Sequence, residues 1–477
     1  MPVIQQPNTA LVAASPEAPF AARATPRSLR PWQRLGVATG LALSVGMAGA
    51  QALPSGAVGA SPLATADQRS LDAQAIALNR QAAFPFGRTA AKQAYRLAHG
   101  LPVSREAESR LDNAIDELVF SAIQKAINGD PLYPKVYWVN APAHHWFGLK
   151  VPGGRYSYDN PDNIYRTIPI DGSSRYVVRG QRTGTGPADV TFSLISNVNT
   201  QNTVQALAGK DLVVNADGSY TLTIDPDPAH GRVNHIQSTS AAKQLFIRNN
   251  LGNWNTETPD TLTVERLGPP PSRAPRGEVA TGLEAWVNLQ ESIVAYGVGA
   301  LGIKTHLNPV NTLSKPSSSQ TLGTLVTQTS SFGHFKIADD EALVATLHSG
   351  GAKYFVFPVT DPWLVSTDPI GHQTSLNNSQ AEPNADGSYT FVVSVRDPGV
   401  PNWLDTVGLH EGTIMVRWQD LPALAVDGGP QVTVQRVKLK DLASVLPAGT
   451  RQVTPQERAQ VTAARVAGFA RRIQTAP

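Results

Sequence analysis

The hydrophobic and polar positions fall into short alternating stretches broken by turn formers, with helical stripes between them. From Tyr133 to Leu267 the strand-like segments are Lys-Val-Tyr-Trp-Val, Ser-Arg-Tyr-Val-Val-Arg, Asp-Val-Thr-Phe-Ser-Leu-Ile, Ser-Tyr-Thr-Leu-Thr-Ile, Lys-Gln-Leu-Phe-Ile-Arg and Thr-Leu-Thr-Val-Glu-Arg. They are rich in β-branched and aromatic residues and separated by Gly, Asn, Asp and Pro, a pattern of sandwiches and jelly rolls. A second such stretch runs from Lys353 to Arg436. Helical spacing takes over at three places. Leu111, Ile115, Leu118, Ile123 and Ile127 predict a helix over 104–128, capped by Ser104 and ended by Gly129 and Pro131. Val279, Leu283, Val287 and Ile293 predict another over 277–296, after a stiff linker containing Pro269, Pro270, Pro271 and Pro275. Thr454, Pro455 and Glu457 form a capping-box signature for a helix over 455–473.

Less periodic stretches are read by composition. Residues 53–80 are small and polar and read as disordered, 305–333 as loop or irregular strand, and Asp339–His348 as a short helix. The expected organisation is a leader (1–52), a flexible segment (53–100), a helix with a first β-unit (101–268), a linker and helical connector (269–352), a second β-unit (353–437) and a C-terminal helix (438–477). The expected fold class is mainly β: two related β-sandwich or jelly-roll units with a few packing α-helices.

A repeat supports the pairing of units. Asn-Ala-Asp-Gly-Ser-Tyr-Thr occurs at 215–221 and again at 384–390. Asp-Gly is a hairpin-turn pair, and alternating strand residues follow it in both copies. Beyond the turn the copies diverge, to Asn234-His235-Ile236 in the first and Asn402-Trp403-Leu404 in the second.

The first 52 residues differ from the rest. Arg23, Arg27, Arg30 and Arg34 precede an apolar run, Leu35–Ala48, and Ala48–Ala50 or Ala50–Ala52 supplies small residues for cleavage. This is the layout of a secretory signal, and ~14 apolar residues fall short of the ~20 that span a bilayer. Export to the periplasm or the extracellular space is therefore expected, with no stable membrane span once the leader is removed. The leader also carries the basicity. The chain has net charge +3, and residues 1–52 hold four Arg and one Glu, so the remainder is neutral. Nothing in it points to nucleic acid. Cysteine is absent, which excludes a thiol nucleophile and a thiolate metal site. An oligomer is compatible with this composition.

Three segments carry a resemblance: Tyr-Asp-Asn-Pro-Asp-Asn-Ile-Tyr-Arg (158–166), Gln-Leu-Phe-Ile-Arg-Asn-Asn-Leu-Gly-Asn-Trp (244–254) and Asp-Pro-Gly-Val-Pro-Asn-Trp-Leu-Asp-Thr (397–406). Over roughly 130–475 the chain resembles the bacterial family carrying the domain of unknown function numbered twelve-fourteen, often beside one numbered twelve-fifty-four. The resemblance implies β-sandwich, jelly-roll-like domains with added helices. It implies no reaction.

Candidate chemistry is sparse. No cofactor motif is present, and the histidines lack a metal-ligand spacing: His144 and His145 are adjacent and would point to opposite faces of a strand, while His372 and His410 are single. Asp225, Asp227 and the 158–163 run offer oxygen ligands without EF-hand spacing, so turn and cap roles explain them. There is no Gly-x-Ser-x-Gly elbow. Acid–base catalysis would use carboxylates of the second unit, Asp361, Asp397, Asp405 and Glu411, with Asp405 and His410 as the candidate catalytic pair. The milder expectation is a loop-lined cleft binding a polar small molecule or a glycan. Its candidates are Trp363, His372, Gln373, Asn377, Asn402 and Trp403 in the second unit and Tyr156 and Tyr158 in the first. The competing reading makes Trp403 and Trp254 core plugs between loop and sheet.

Overall fold

The computed structural model describes residues 60–82, 84–319, 328–424 and 426–475; the expected leader lies outside them. Three helices come first: α1 (Ala66–Ala82), α2 (Pro85–His99) and α3 (Arg105–Ile127). Ser104 caps α3, its Oγ accepting from the Ala107 amide at 3.0 Å. The strands β1 (Tyr137–Val139), β2 (His144–Trp146), β3 (Leu149–Val151), β4 (Asn163–Pro169), β5 (Arg175–Gln181), β6 (Asp189–Ile195), β7 (Thr203–Ala208), β8 (Ser219–Asp225), β9 (His235–Gln237), β10 (Gln244–Asn250) and β11 (Thr261–Leu267) follow. Then α4 (Glu278–Ser292) continues as a π-helical stretch, Ile293–His306. The remaining strands are β12 (Thr312–Leu313), β13 (Ser317–Ser318), β14 (Gln328–Lys336), β15 (Glu341–His348), β16 (Tyr354–Thr360), β17 (Ser375–Asn377), β18 (Tyr389–Ser394), β19 (Trp403–Asp405), β20 (Glu411–Gln419) and β21 (Gln431–Lys438). The last helix, α5 (Pro455–Arg472), begins with the expected capping box between Thr454 and Glu457.

The architecture is mostly β-sheet with a few helices. The larger sheets have strand orders β1-β4-β10-β6-β7 and β11-β5-β8-β9, then β12-β14-β20-β16-β17 and β21-β15-β18-β19. Taken in chain order, β4 to β11 and β14 to β21 occupy the same places. The repeated heptapeptide explains one of them. In each copy the first Asn amide donates to the Ser carbonyl, and the Gly amide donates back to the Asn carbonyl. Asp217 and Asp386 each accept from the amide and hydroxyl of the following Ser. Gly218 and Gly387 have φ of 84° and 81°, the left-handed region that Gly reaches without cost.

Each sheet pair closes on one core. Tyr176, Phe192, Leu222, Leu245 and Ile247 meet in the first. Leu343, Phe355, Phe391, Ile414, Val416 and Trp418 meet in the second. The side chains on the opposite faces of the middle strands are therefore free for another purpose, because alternate residues of a strand point to opposite sides.

The 158–163 loop ties the two sheet pairs together. Asp162 accepts from the Trp254 indole at 2.8 Å, the Tyr354 hydroxyl at 2.7 Å and the Asn377 amide at 2.8 Å. Asn160 donates to Tyr354 and to Asn250. These residues are buried, so the hub works as a satisfied polar network and not as a cation loop.

Several expectations fail for physical reasons. The segment expected to be flexible, 53–100, holds α1 and α2. Leu71, Ala75, Ile76 and Leu78 of α1 are buried, and Gln68 and Asp72 are buried with them as hydrogen-bond partners of Trp138, Tyr137 and Trp146. Most of the segment read as a short helix at 339–348 is the central strand β15, between β18 and β21. A short apolar run does not separate strand from helix by periodicity. The second set of strands accordingly begins at Thr312, inside the expected connector.

Candidate functional site

The outward faces of β10 and β20 meet across a cavity of about 50 Å3. From β10 come Phe246 and Arg248, and from β20 Met415, Arg417 and Gln419. Their neighbours Leu245, Ile247, Ile414, Val416 and Trp418 fill the two cores. Asn250 and Gln419 are 169 positions apart, the spacing of the two heptapeptides, and the same spacing separates Phe246 from Met415 and Arg248 from Arg417. Corresponding residues of the two sheet pairs thus face one cavity. Tyr156, Tyr158 and Asn163 line it from the loop before β4 and the start of that strand, Tyr165 from within β4, and Tyr296 and Lys304 from the π-helical stretch. Of the lining, only Ser157, Lys304 and Phe332 are half-exposed, which puts the entrance on their side.

The cavity wall is polar and partly strained. Three lining residues adopt left-handed backbone: Asn140 (φ 56°), Tyr158 (φ 46°) and Gln201 (φ 53°). For non-Gly residues this costs of order 1–3 kcal/mol each, and such strain concentrates at functional sites. Asn140 Oδ1, Asn163 Oδ1 and Arg417 Nη1 are buried with no hydrogen-bond partner among the described residues. Arg417 donates through Nη2 to the Tyr158 carbonyl. Arg248 stacks over Phe246 at 4.2 Å, and Phe246 stacks on Tyr165 at 5.7 Å. Burial lowers Arg248 to about 10, opposed by the Tyr165, Tyr156 and Tyr296 phenols and reinforced by repulsion from Arg417. Burial raises the Tyr165 phenol, while both arginines act to lower it. Beyond the Tyr156 side, Lys125 is buried, bonded to Asn199 and Ser292, and lies 4.5 Å from the Tyr156 ring centre. Burial lowers it to about 7.

The sequence-based candidates separate into three groups. Tyr156 and Tyr158 line this cavity. Trp363, Asn377, Asn402 and Trp403 are scaffold. Trp363 is fully buried and donates to the Ala107 carbonyl at 2.8 Å. The Trp403 indole donates to the Ser394 carbonyl and lies under the Arg458 guanidinium. Asn377 belongs to the Asp162 hub. Asn402 accepts from the Glu382 amide at 2.8 Å and donates to its carbonyl at 2.7 Å. Asn234 makes the same two bonds with Val213, at 2.8 and 2.7 Å.

The acid–base pair is not assembled. Asp405 accepts from His372 Nδ1 at 2.7 Å, whereas His410 bonds to Glu106 at 2.9 Å and to Asp339 at 3.1 Å. Those two carboxylates raise His410 above its ordinary value. Gln373 donates to the Trp403 carbonyl and also borders a groove of about 270 Å3 under α5. The charges of that groove are spoken for: Arg458 pairs with Asp397, Arg451 with Glu382 and Glu457, and Arg465 holds Pro369 and Ser375. It is a satisfied helix–sheet seam.

Sequence reading missed Arg248 and Arg417. The signal existed in the repeat spacing, which carries one arginine onto the other. It also missed a stack of His99, His306 and His334, with ring centres 4.7 and 4.4 Å apart. Among the described residues, no group of three or more His, Asp or Glu is placed to hold a metal ion.

No protein-family model and no curated protein matches the chain. Solved structures do. The crystal structure of an uncharacterised protein from Burkholderia cenocepacia aligns with a TM-score of 0.62 at 23% identity, covering 77% of this chain and 99% of that one. This likeness shows a shared fold. A protein from Vibrio parahaemolyticus aligns at a TM-score of 0.37 and 11% identity, over 73% of this chain and 100% of that one. No helix among the described residues is long and apolar enough to cross a membrane.

Proposed function

We propose that this protein is an exported binding protein that holds a small polar molecule in the cavity between two related β-sandwich units. The observation that carries the reading is the set of buried polar atoms around the cavity, Asn140 Oδ1, Asn163 Oδ1 and Arg417 Nη1, which have no partner among the described residues. Burying such a group unpaired costs about 1–3 kcal/mol. Three residues that line one cavity carry such atoms, beside strained backbone, which supports a cavity organised around something that enters it. A volume near 50 Å3 is several times the ~10–15 Å3 one water needs, yet far below the roughly 300 Å3 of drug-sized pockets. It suits a compact molecule better than a glycan.

The relatedness of the units is supported by the common strand order, the matched hairpin turns and the two bonds that Asn234 and Asn402 make alike. Two sheets enclosing one core support a sandwich or jelly-roll description of each unit, with β8–β9 and β18–β19 as parallel pairs at one edge. Kinship with the twelve-fourteen family belongs to the same proposal, and two of the resembling segments, 158–166 and 244–254, build the cavity wall. Export rests on the leader pattern. The enzymatic alternative loses its candidate pair, since Asp405 and His410 are engaged elsewhere.

Native mass spectrometry of the full chain, purified from its own host, tests this reading. A small molecule retained in stoichiometric amount is expected, and Phe246→Trp, which fills the cavity, should abolish it. A bare polypeptide mass, or retention unchanged in the variant, would contradict it.

A further inference from the structure

Resting on that reading, the chemistry of the cavity narrows what it takes. We infer that its ligand carries a small anionic group, a carboxylate or a phosphate, bound by Arg417 and Arg248 with Tyr165 beside them. Three observations converge. First, Arg417 is buried, and one of its two terminal nitrogens is used by the Tyr158 carbonyl while Nη1 has no partner among the described residues. A guanidinium is a rigid fork that stays charged at every physiological pH, and its natural complement is a planar or tetrahedral oxyanion.

Second, the two arginines repel each other. Each acts electrostatically on Tyr165, and Arg417 acts against the charge on Arg248. Two like charges held together in a buried site are stabilised by an anion between them. Third, the Tyr165 hydroxyl accepts from the Asn160 amide at 3.0 Å, which leaves its own proton to donate. The nearby Asn163 Oδ1 is an unpartnered acceptor, suited to a hydroxyl on the same ligand. Half-buried Lys304 at the entrance adds a third positive group. The repeat explains how the pair arose: one arginine per unit, at corresponding positions of β10 and β20, meets its counterpart across the cavity.

The test is isothermal titration calorimetry on the full chain with inorganic phosphate, acetate and lactate, and with glycerol and glucose as neutral probes. At least one anion should bind with Kd at or below ~1 mM. Its affinity should fall at least tenfold, about 1.4 kcal/mol, in Arg417→Gln and less in Arg417→Lys. Circular dichroism melts establish that both variants fold. If Arg417→Gln does not fold, Arg248→Gln takes its place with the same expectation. Phosphate alone binding would assign a phosphate ester, and acetate or lactate alone a carboxylate. Glycerol or glucose binding without any anion would overturn the anionic assignment and leave the cavity reading standing. Anion binding unchanged in the variants would likewise overturn it. No binding by either class would overturn both.

Discussion

Asn250 donates a hydrogen bond to Gln419, the residue that stands in its own place one repeat later. The contact joins the end of β10 to the end of β20, the strands that hold the same place in the two sheet pairs. Asn250 and Gln419 therefore mark the seam of the molecule, and Arg248 and Arg417, two residues back on the same strands, flank it. Asn250 also accepts from Asn160 and Asn163, so the seam continues into the Asp162 hub.

The paired clamps give a direct stability comparison. Asn234→Ala removes two bonds to Val213, and Asn402→Ala removes the matching two to Glu382 together with a third to the Thr390 carbonyl. Each should lower the unfolding free energy by about 1–3 kcal/mol, Asn402→Ala by at least as much as Asn234→Ala, and the double variant should lose the sum. Urea melts measure this. A negligible loss at either position would show that the correspondence is geometric only.

Asp162 is the acceptor on which three buried donors converge. Asp162→Ala strands the Trp254 indole, the Tyr354 hydroxyl and an Asn377 amide hydrogen. A cost of at least about 3 kcal/mol is expected, a large share of the roughly 5–15 kcal/mol that holds a folded protein together. A melting temperature within a degree or two of the wild type would refute the hub.

Lys125 makes stability depend on pH. Its folded pKa, about 7, lies below the ordinary 10.5 because burial disfavours the charged form. Between those values the unfolded chain holds a proton that the folded chain lacks, so stability rises with pH and is lost as pH falls toward 7. The slope contributed is up to about 1.4 kcal/mol per pH unit. Lys125→Met should remove that slope from unfolding curves taken between pH 7.5 and 9.5. Parallel curves for the two proteins would contradict the assignment.

The proposed leader gives a prediction at the amino terminus. The mature protein isolated from its host should begin just after Ala50 or Ala52, as read by amino-terminal sequencing. A mature chain that retains Leu35–Ala48 would contradict export by this route.

Much of the fold was legible because its signals are local. The Ser104 cap, the Thr454–Glu457 box, the Asp-Gly turns and the alternating strands all depend on neighbours in sequence, and all appear in the structure. What was not legible depends on partners far away. Helix α1 packs apolar residues together with two polar ones, Gln68 and Asp72, whose partners lie near position 140. Strand β15 looked helical because only β18 and β21 reveal it as a central strand. At the site, aromatic and amide residues in turn-rich segments were sound suspects on chemistry alone. Trp363, Asn377, Asn402 and Trp403 nonetheless serve the scaffold, since each meets its hydrogen-bond partners inside the fold. Tyr156 and Tyr158 reach the cavity. Arg248 and Arg417 carry no motif of their own, although the 169-residue spacing of the two heptapeptides pairs them.

The most direct test is a crystal structure of the protein with its co-purified or calorimetrically identified ligand. The account predicts ligand density between β10 and β20, with an anionic group within hydrogen-bond distance of Arg417 and Arg248. Density instead in the groove under α5, beside Gln373 and Arg458, with the space between the two arginines holding only solvent, would contradict it.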